Sequence, residues 1–436
     1  MFAYYIDLAL RSLQRSKALT VLMVLAMALG IGASMTTLTV FHALSGDPMP
    51  GRSDKLYYVQ LDAADLSGFV PGAEPYDQMT RFDAETLLRE KRADRQAMMS
   101  GGSVALQPAA SGQAALEPFY AAARYTSADF FPMFDTPFAH GRAWGAADDD
   151  SRARVVVISQ ELNQKLFGGA DSTGKPLRLD DAEFRIVGVL KAWRPVPHFY
   201  DLNTGRYTQA EQVYLPFSTA RDLKLGHDGS MRCWGQGEAD ATALNRSCAW
   251  IQYWAELDTP AKAAAYREDL VRYAEQQKAA GRFQRPPNER LRPLMAWLDF
   301  KKVVPSDVRL QLWLAFGFLL VCLVNTVGLL LAKCLRRSAE IGVRRALGAS
   351  RLAIFTQFLV EAGMIGLAGG LLGLVLAMGG LWLVRQNPAA YAQLARLDGA
   401  MLLLTFVLAL AASVIAGLLP AWRACQVTPA LQLKSQ

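Results

Sequence analysis

The chain has 436 residues, 52% of them hydrophobic and 19% charged, with a net charge of +7. The apolar excess is gathered in four uncharged stretches, Ala18 to Leu44, Leu310 to Ala332, Ala362 to Val384 and Gly399 to Trp422, which excludes an ordinary water-soluble domain. The basic residues cluster beside those stretches, so the positive charge is not a nucleic-acid footprint.

Residues 1–17 read as an amphipathic helix. Ile6, Leu10 and Leu13 recur at helical spacing with Arg11 and Arg15 on the other side. The segment either lies in the inner interface or is the start of the first span. The stretch 18–44 is long enough to cross a ~30 Å hydrocarbon layer. It is too long, and too poor in a following small-residue site, to read as a signal peptide.

Residues 45–307 alternate strand and helix signals. Strands are expected at Lys55–Leu61, Ala121–Tyr125, Arg154–Ile158, Phe184–Leu190, Gln212–Pro216 and Ala249–Leu257. Helices are expected at Phe82–Arg92, at Ser159–Phe167 with Ser159 as its cap, and at Pro260–Gln277 as a charged, exposed helix. The Pro/Gly/Arg-rich run Gly281 to Pro293 reads as a connector back to the membrane. The pattern predicts a large α+β extracytoplasmic domain inserted between the first and second membrane helices.

Three local patterns in this block invite chemistry. Cys233 and Cys248 are its only cysteines; an oxidising compartment lets them pair, and two free thiols are the alternative. Gly169 to Lys175 fills the first seven positions of a phosphate-binding loop, but Pro176 stands where the magnesium-holding hydroxyl is required. A turn between helix and strand is expected instead. The run Asp148, Asp149 and Asp150 reads as a solvated loop. The four histidines have no partners at metal-ligand spacing, so no metal site and no catalytic set are expected.

Three further spans are expected at 308–333, 352–385 and 399–422, with a basic segment at 334–351, a short outer loop at 386–398 and a tail at 423–436. Arg11, Arg15 and Lys17, then Lys333, Arg336, Arg337, Arg344, Arg345 and Arg351, then Arg423 and Lys434 flank the spans. All three clusters predict a multi-pass protein with both termini and 334–351 cytoplasmic. Glu361 is the one acidic residue near a span interior. Two readings stand for it, a structural pair with a basic neighbour at headgroup depth and a coupling role. Gly30 and Gly32 in the first span, and Gly366, Gly369, Gly370 and Gly373 in the third, have spacings that let helices approach closely, within one chain or in a dimer.

The run Glu340 to Ser350, EIGVRRALGAS, is a compact charged helix between two spans. With Ser127–Phe131 (SADFF), Gly141-Arg142, Val155–Ser159 (VVVIS), Lys165–Gly168 (KLFG), Gly174–Leu177 (GKPL) and Phe184–Leu190 (FRIVGVL) in that order, the chain resembles the permeases of the MacB/FtsX-like (type VII) ABC transporters. Ala9–Leu13, Leu29–Gly32 and Pro420–Ala424 extend the likeness over nearly the whole length.

That resemblance implies a non-catalytic permease subunit of the bacterial inner membrane. It implies a dimer with a second identical or homologous permease subunit, and a cytoplasmic ABC ATPase on a separate chain that binds the ATP and Mg. No cofactor would be bound by this chain. The membrane helices would act as levers between motor and periplasmic domain, without a path through the bilayer. The segment Arg336 to Ser350 would be the coupling helix, with Ile341, Val343, Ala346 and Leu347 giving apolar contact and Arg336, Arg337, Glu340, Arg344 and Arg345 polar contact. In exporting members a membrane-fusion protein and an outer-membrane channel complete a tripartite pump for peptides, antibiotics or other amphiphiles. Lipoprotein extraction, and a scaffold that controls a cell-wall hydrolase, are the competing functions.

Overall fold

The computed structural model describes residues 2–108, 117–235, 237, 239–386 and 399–425. The outer loop expected at 386–398 therefore lies outside the described residues beyond Gln386, as does the tail beyond residue 425. The chain divides into two units, Met1–Ser45 with Val304–Gln436, and Gly46–Val303.

The first unit begins with α1 (Phe2–Arg15) and α2 (Lys17–Ser45). In α1, Ala9 and Ser12 are buried while Tyr4 and Leu10 are exposed and Ile6 and Leu13 are half-buried, so the buried side is not the Ile6–Leu10–Leu13 face that the sequence spacing marks. In α2, Met23, Met27, Gly30, Ile31, Ser34 and Met35 form the buried face. Val21, Leu22, Leu25 and Leu29 are exposed on the other side. An apolar exposed face is what a helix facing lipid requires.

The second unit opens with β1 (Leu56–Gln60), β2 (Met79–Thr80), α3 (Arg81–Glu90), β3 (Arg95–Gln107), β4 (Phe119–Thr126), α4 (Phe130–Met133) and β5 (Phe138–Gly141). Next come α5 (Ala146–Asp150), β6 (Val155–Ile158), α6 (Gln160–Phe167), β7 (Pro176–Leu179), β8 (Ala182–Leu190) and β9 (Val213–Pro216). It closes with α7 (Phe217–Asp222), β10 (His227–Asp228), β11 (Arg232–Cys233), β12 (Cys248–Glu256), α8 (Pro260–Ala279), β13 (Arg290–Pro293) and α9 (Leu294–Phe300). The main sheet runs β13-β1-β12-β3-β4-β9-β6-β8-β5. Only β4–β9 and β6–β8 pair in parallel among its neighbours.

Every residue of β12 is buried, and it lies inside the sheet between β1 and β3. Its Ile251, Tyr253 and Ala255 join Tyr266, Leu270 and Tyr273 of α8 in the main core. Trp254, on the alternate face, packs with Tyr58, Phe134 and Phe199. A second buried group lies nearby. Arg124 of β4 donates from Nη1 to Asp201 at 2.7 Å and from Nε to Glu211 at 3.0 Å, and Tyr200 donates to Glu211 at 2.6 Å. Burial alone would raise the Glu211 carboxyl, yet Arg124 and His198 hold it well below the usual carboxylate range.

Four sequence expectations change here. The longest strand, β3, was not anticipated, because Gly101-Gly102 interrupts its apolar pattern. Those glycines admit close neighbours: a side chain at 101 would press on the Asp228 carbonyl, and one at 102 would strike the Tyr125 ring. The helix expected at Pro260–Gln277 is not simply exposed. Tyr266, Leu270, Tyr273 and Ala274 of α8 recur at helical spacing and are buried. The run Gly281 to Pro293 is more than a connector. Arg285 donates to Asp65 O at 2.6 Å and to Asp62 at 3.2 Å, and β13 pairs with β1. Beyond it, Trp297 of α9 stacks on Tyr58 at 3.9 Å. Finally, Asp148, Asp149 and Asp150 are not a solvated loop but lie in α5, with the Asp149 carboxylate turned to internal donors.

The first unit resumes with α10 (Ser306–Arg336), α11 (Ser338–Ala346), α12 (Arg351–Arg385) and α13 (Gly399–Cys425). Among the described residues, helices α2, α10, α12 and α13 are the four long and apolar enough to cross a membrane. At 1.5 Å per residue each exceeds the ~30 Å of a bilayer core. A side-chain carbon added at Gly30 would meet Leu319 at 2.9 Å, and at Gly32 Leu376 at 2.9 Å. At Gly369 it would meet Met27 at 2.7 Å, at Gly373 Ala28 O at 3.1 Å and at Gly370 Ala409 at 2.7 Å. Gly366 backs directly onto Ser413. All six glycines thus seat one helix of the chain against another.

Candidate coupling site

The charged helix between the second and third spans is shorter than the expected 334–351, with α11 covering Ser338–Ala346. Glu340 lies in its first turn and Arg344 and Arg345 in its last, each favourable to the helix dipole. Glu340 and Arg344 pair at 2.7 Å one turn apart, worth about 0.3–0.5 kcal/mol at a part-exposed site. Arg344 also donates to Gln357 at 3.3 Å. Gly348 follows with φ +100°, and Ser350 then caps α12 by accepting from Ala353 N.

The nine candidate coupling residues do not share one face. Ile341 is buried with Cys334, Ile354, Phe358 and Ala421, so it anchors α11 rather than offering contact. Arg337 is also directed inward: it donates to Ser12 Oγ and, at 3.3 Å, to Ser12 O. Arg336 and Ala346 are exposed, and Arg345 is half-buried. Val343 is 54% exposed and Leu347 83% exposed. Residues 343, 346 and 347 are three and four positions apart, so they form one apolar face opposite the Ile341 anchor.

Beneath α11 sits a buried polar cluster that joins four segments. Glu361 of α12 forms an ion pair with Lys333 of α10, and its Oε1 also accepts from Ser12 of α1 at 2.8 Å. Its Oε2 has no hydrogen-bond partner among the described residues. Arg337, at the junction of α10 and α11, closes the cluster through Ser12. Glu361, Lys333 and Ser12 are all at most 5% exposed. A carboxylate enclosed this way persists because it is paired and hydrogen-bonded; removing one partner of such a pair typically costs ~3–5 kcal/mol. The basic neighbour expected for Glu361 is therefore Lys333. Its assignment as a flanking charge changes, since it lies inside α10 and is buried. No spacing in the sequence marks Ser12 as the third member.

In the second unit Cys233 and Cys248 form a disulfide across the pair β11–β12, with Cα atoms 4.0 Å apart. The glycine-rich run 169–175 is a turn: Gly168 ends α6 at φ +65°, Gly174 N donates to Ile186 O, and a strand follows at Pro176. Asp149 accepts from Ala128 N at 2.7 Å and from Trp144 Nε1 at 2.9 Å. Burial pushes its carboxyl up to about 7, against the opposing effect of those two hydrogen bonds.

A four-helix membrane unit interrupted after its first span by an α+β domain, with a short charged helix between the second and third spans, defines a permease architecture. Residues 20–273 match the MacB-like periplasmic core domain and residues 312–429 the FtsX-like permease C-terminal domain. The chain belongs to the MacB/FtsX-like permease family. It is 27% identical over 311 residues to the pyoverdine export ATP-binding/permease protein PvdT of Pseudomonas aeruginosa, covering 71% of this chain and 41% of that protein. It is 25% identical over 317 residues to the macrolide export ATP-binding/permease protein MacB of Azoarcus sp., covering 72% and 42%. The chain thus spans about two fifths of the length of these curated relatives. Among solved structures, the periplasmic region of MacB from Actinobacillus actinomycetemcomitans aligns with 59% of this chain and 96% of its own, at 13% identity and TM-score 0.37. The extracellular domain of the transporter YknZ aligns with 54% and 99%, at 12% identity and TM-score 0.35.

Proposed function

We propose that the chain is the permease part of an ABC exporter that works by mechanotransmission. An ATP- and Mg-binding motor, expected on a separate cytoplasmic chain, presses on α11. The displacement passes to α10, α12 and α1, and changes the shape of the periplasmic domain. The permease acts as a pair of identical or homologous copies in the inner membrane, with α11 on the cytoplasmic side. The cargo is a peptide, an antibiotic or another amphiphile, delivered through a periplasmic membrane-fusion protein to an outer-membrane channel. Two named relatives support export, since one is a pyoverdine and the other a macrolide export protein.

The observation that carries this reading is the division of α11 into an anchored side and an open side. Ile341 and Arg337 hold it to the bundle, while Val343 and Leu347 leave an exposed apolar face beside two arginines. A helix that only set topology by its charge would need neither feature. The test is the double substitution Arg344→Glu with Arg345→Glu. ATP-driven transport should be lost while the protein still reaches the membrane; normal transport by that variant would overturn the assignment of α11.

A further inference from the structure

The inserted domain holds a cleft of about 440 Å³ bordered by α3, α5, α7 and β3. This volume falls in the range of small-molecule sites, roughly 300–1,000 Å³. Arg221 of α7 lines it, and this arginine is unusual in its company. It is only 9% exposed, and no carboxylate among the described residues lies within salt-bridge distance of it. Its Nη2 donates to Leu225 O at 2.5 Å, while its Nε has no hydrogen-bond partner among the described residues. The guanidinium is boxed by the rings of Tyr125, Trp250 and Phe217 at 5.5, 5.4 and 5.9 Å.

A buried cation with no carboxylate in direct contact is costly. Other buried arginines of this domain are compensated: Arg124 by Asp201 and Glu211, and Arg285 by Asp62. Burial, with Arg81 as a like charge and against the opposing attraction of Asp240, holds the Arg221 guanidinium below its ordinary value, the opposite direction to Arg124. Most carboxylates around the cleft are engaged elsewhere. Glu85 pairs with Arg81 at 2.6 Å and Asp222 with Arg152 at 2.7 Å, and Asp149 takes its two internal donors. Asp150 remains at the exposed rim. Leu88, Met98 and Phe217 supply an apolar lining next to the cation.

We propose that this cleft binds an amphiphilic carboxylate, with Arg221 holding the carboxylate and Leu88, Met98 and Phe217 receiving the attached apolar group. The charge-assisted bond to Arg221 supplies the contacting carboxylate that the fold omits. The rings around the guanidinium keep it in place while the site is empty. The site does not depend on the reading of α11 and is tested by binding alone.

The experiment is calorimetric titration of the full-length chain in lipid nanodiscs with 2-naphthylacetate, N-acetylphenylalanine and 2-naphthylethylammonium, with empty nanodiscs as the blank. At least one carboxylate should bind roughly tenfold or more tighter than the ammonium probe. Preference for 2-naphthylacetate assigns a free aromatic or acyl acid; preference for N-acetylphenylalanine assigns the carboxyl end of a peptide. Arg221→Gln should weaken that binding roughly tenfold or more. Leu88→Trp, made at a half-exposed position, should block the cleft without touching the cation, and it decides the matter if Arg221→Gln does not fold. Equal binding of the ammonium probe, no binding by the wild type, or unchanged binding by a folded Arg221→Gln or Leu88→Trp would overturn the proposal.

Discussion

Ser12 Oγ donates to Glu361 Oε1 at 2.8 Å, joining α1 to α12 across 349 positions of sequence. The bond fixes the first amphipathic helix to the third span at the same carboxylate that Lys333 neutralises. Three helices and the root of α11 therefore share one buried charge balance. A displacement at α11 has a polar connection, through Arg337 and Ser12, into the body of the unit.

That balance predicts asymmetric effects of substitution. Glu361→Ala should lower the stability of the purified protein by about 3–5 kcal/mol, because it strands the Lys333 ammonium. Lys333→Met together with Glu361→Met should recover much of the loss, since an apolar pair of similar volume carries no stranded charge. Thermal unfolding in detergent, run as a double-mutant cycle, measures the coupling. Additive single effects would show that the two residues do not act as a pair.

The glycines of α12 make a second, sharper contrast. Gly370→Val should destabilise the bundle by about 1–3 kcal/mol through overpacking, because an added carbon would meet Ala409 at 2.7 Å. Gly363→Ala should be neutral or slightly stabilising, because a side-chain carbon added there would meet nothing from another element within 4 Å and alanine favours the helix. The same melting assay separates the two. Equal destabilisation would mean that the contact with Ala409 does not set Gly370 apart from Gly363.

Asp149 predicts a pH response in the inserted domain. Its folded carboxyl is raised to about 7 from an ordinary 3.8, chiefly by burial. The folded state therefore holds a proton that the unfolded state has lost between those values. Its favourable effect is complete below about pH 4 and disappears as pH rises toward 7. Hydrogen exchange in the segment that contains Ala128 and Trp144, corrected for intrinsic rate, should show more protection at pH 5 than at pH 8. Asp149→Asn should flatten that difference. A wild-type profile that is already flat would mean that the carboxylate stays charged throughout.

The spans were legible because apolar length is a local property, and the buried run Val155–Ile158 and the Ser159 cap are local too. What escaped the sequence depends on partners far along the chain. Strand β3 carries two glycines that look like a break until Tyr125 is placed over Gly102. Lys333 reads as a flanking charge until Glu361, 28 residues later, is brought beside it. Ile341 and Val343 look equivalent in the sequence, and only the packing of Ile354 and Phe358 separates the buried one from the exposed one. The six packing glycines are compatible with either an internal or an intermolecular contact until their neighbours are known.

The division of α11 gives the most direct test of the proposed mechanism, because its two sides predict different losses. Ile341→Ala removes buried atoms from the contact with Cys334, Ile354, Phe358 and Ala421. It should cost about 2–5 kcal/mol of stability, the usual range for such a truncation. Leu347→Asp changes a side chain that is 83% exposed, so its stability effect should stay within about 0.5 kcal/mol. On the proposed reading, a charge at that position enters an apolar contact with the motor and must be desolvated there. Leu347→Asp should therefore abolish co-purification of the ATPase and ATP-driven transport in a protein that melts normally. Val343→Asp should behave the same way, while Ile341→Ala should lower the melting temperature first and transport only as a consequence. If Leu347→Asp and Val343→Asp both retain full transport with their partner bound, the motor does not engage this face, and the exposed side of α11 has another use.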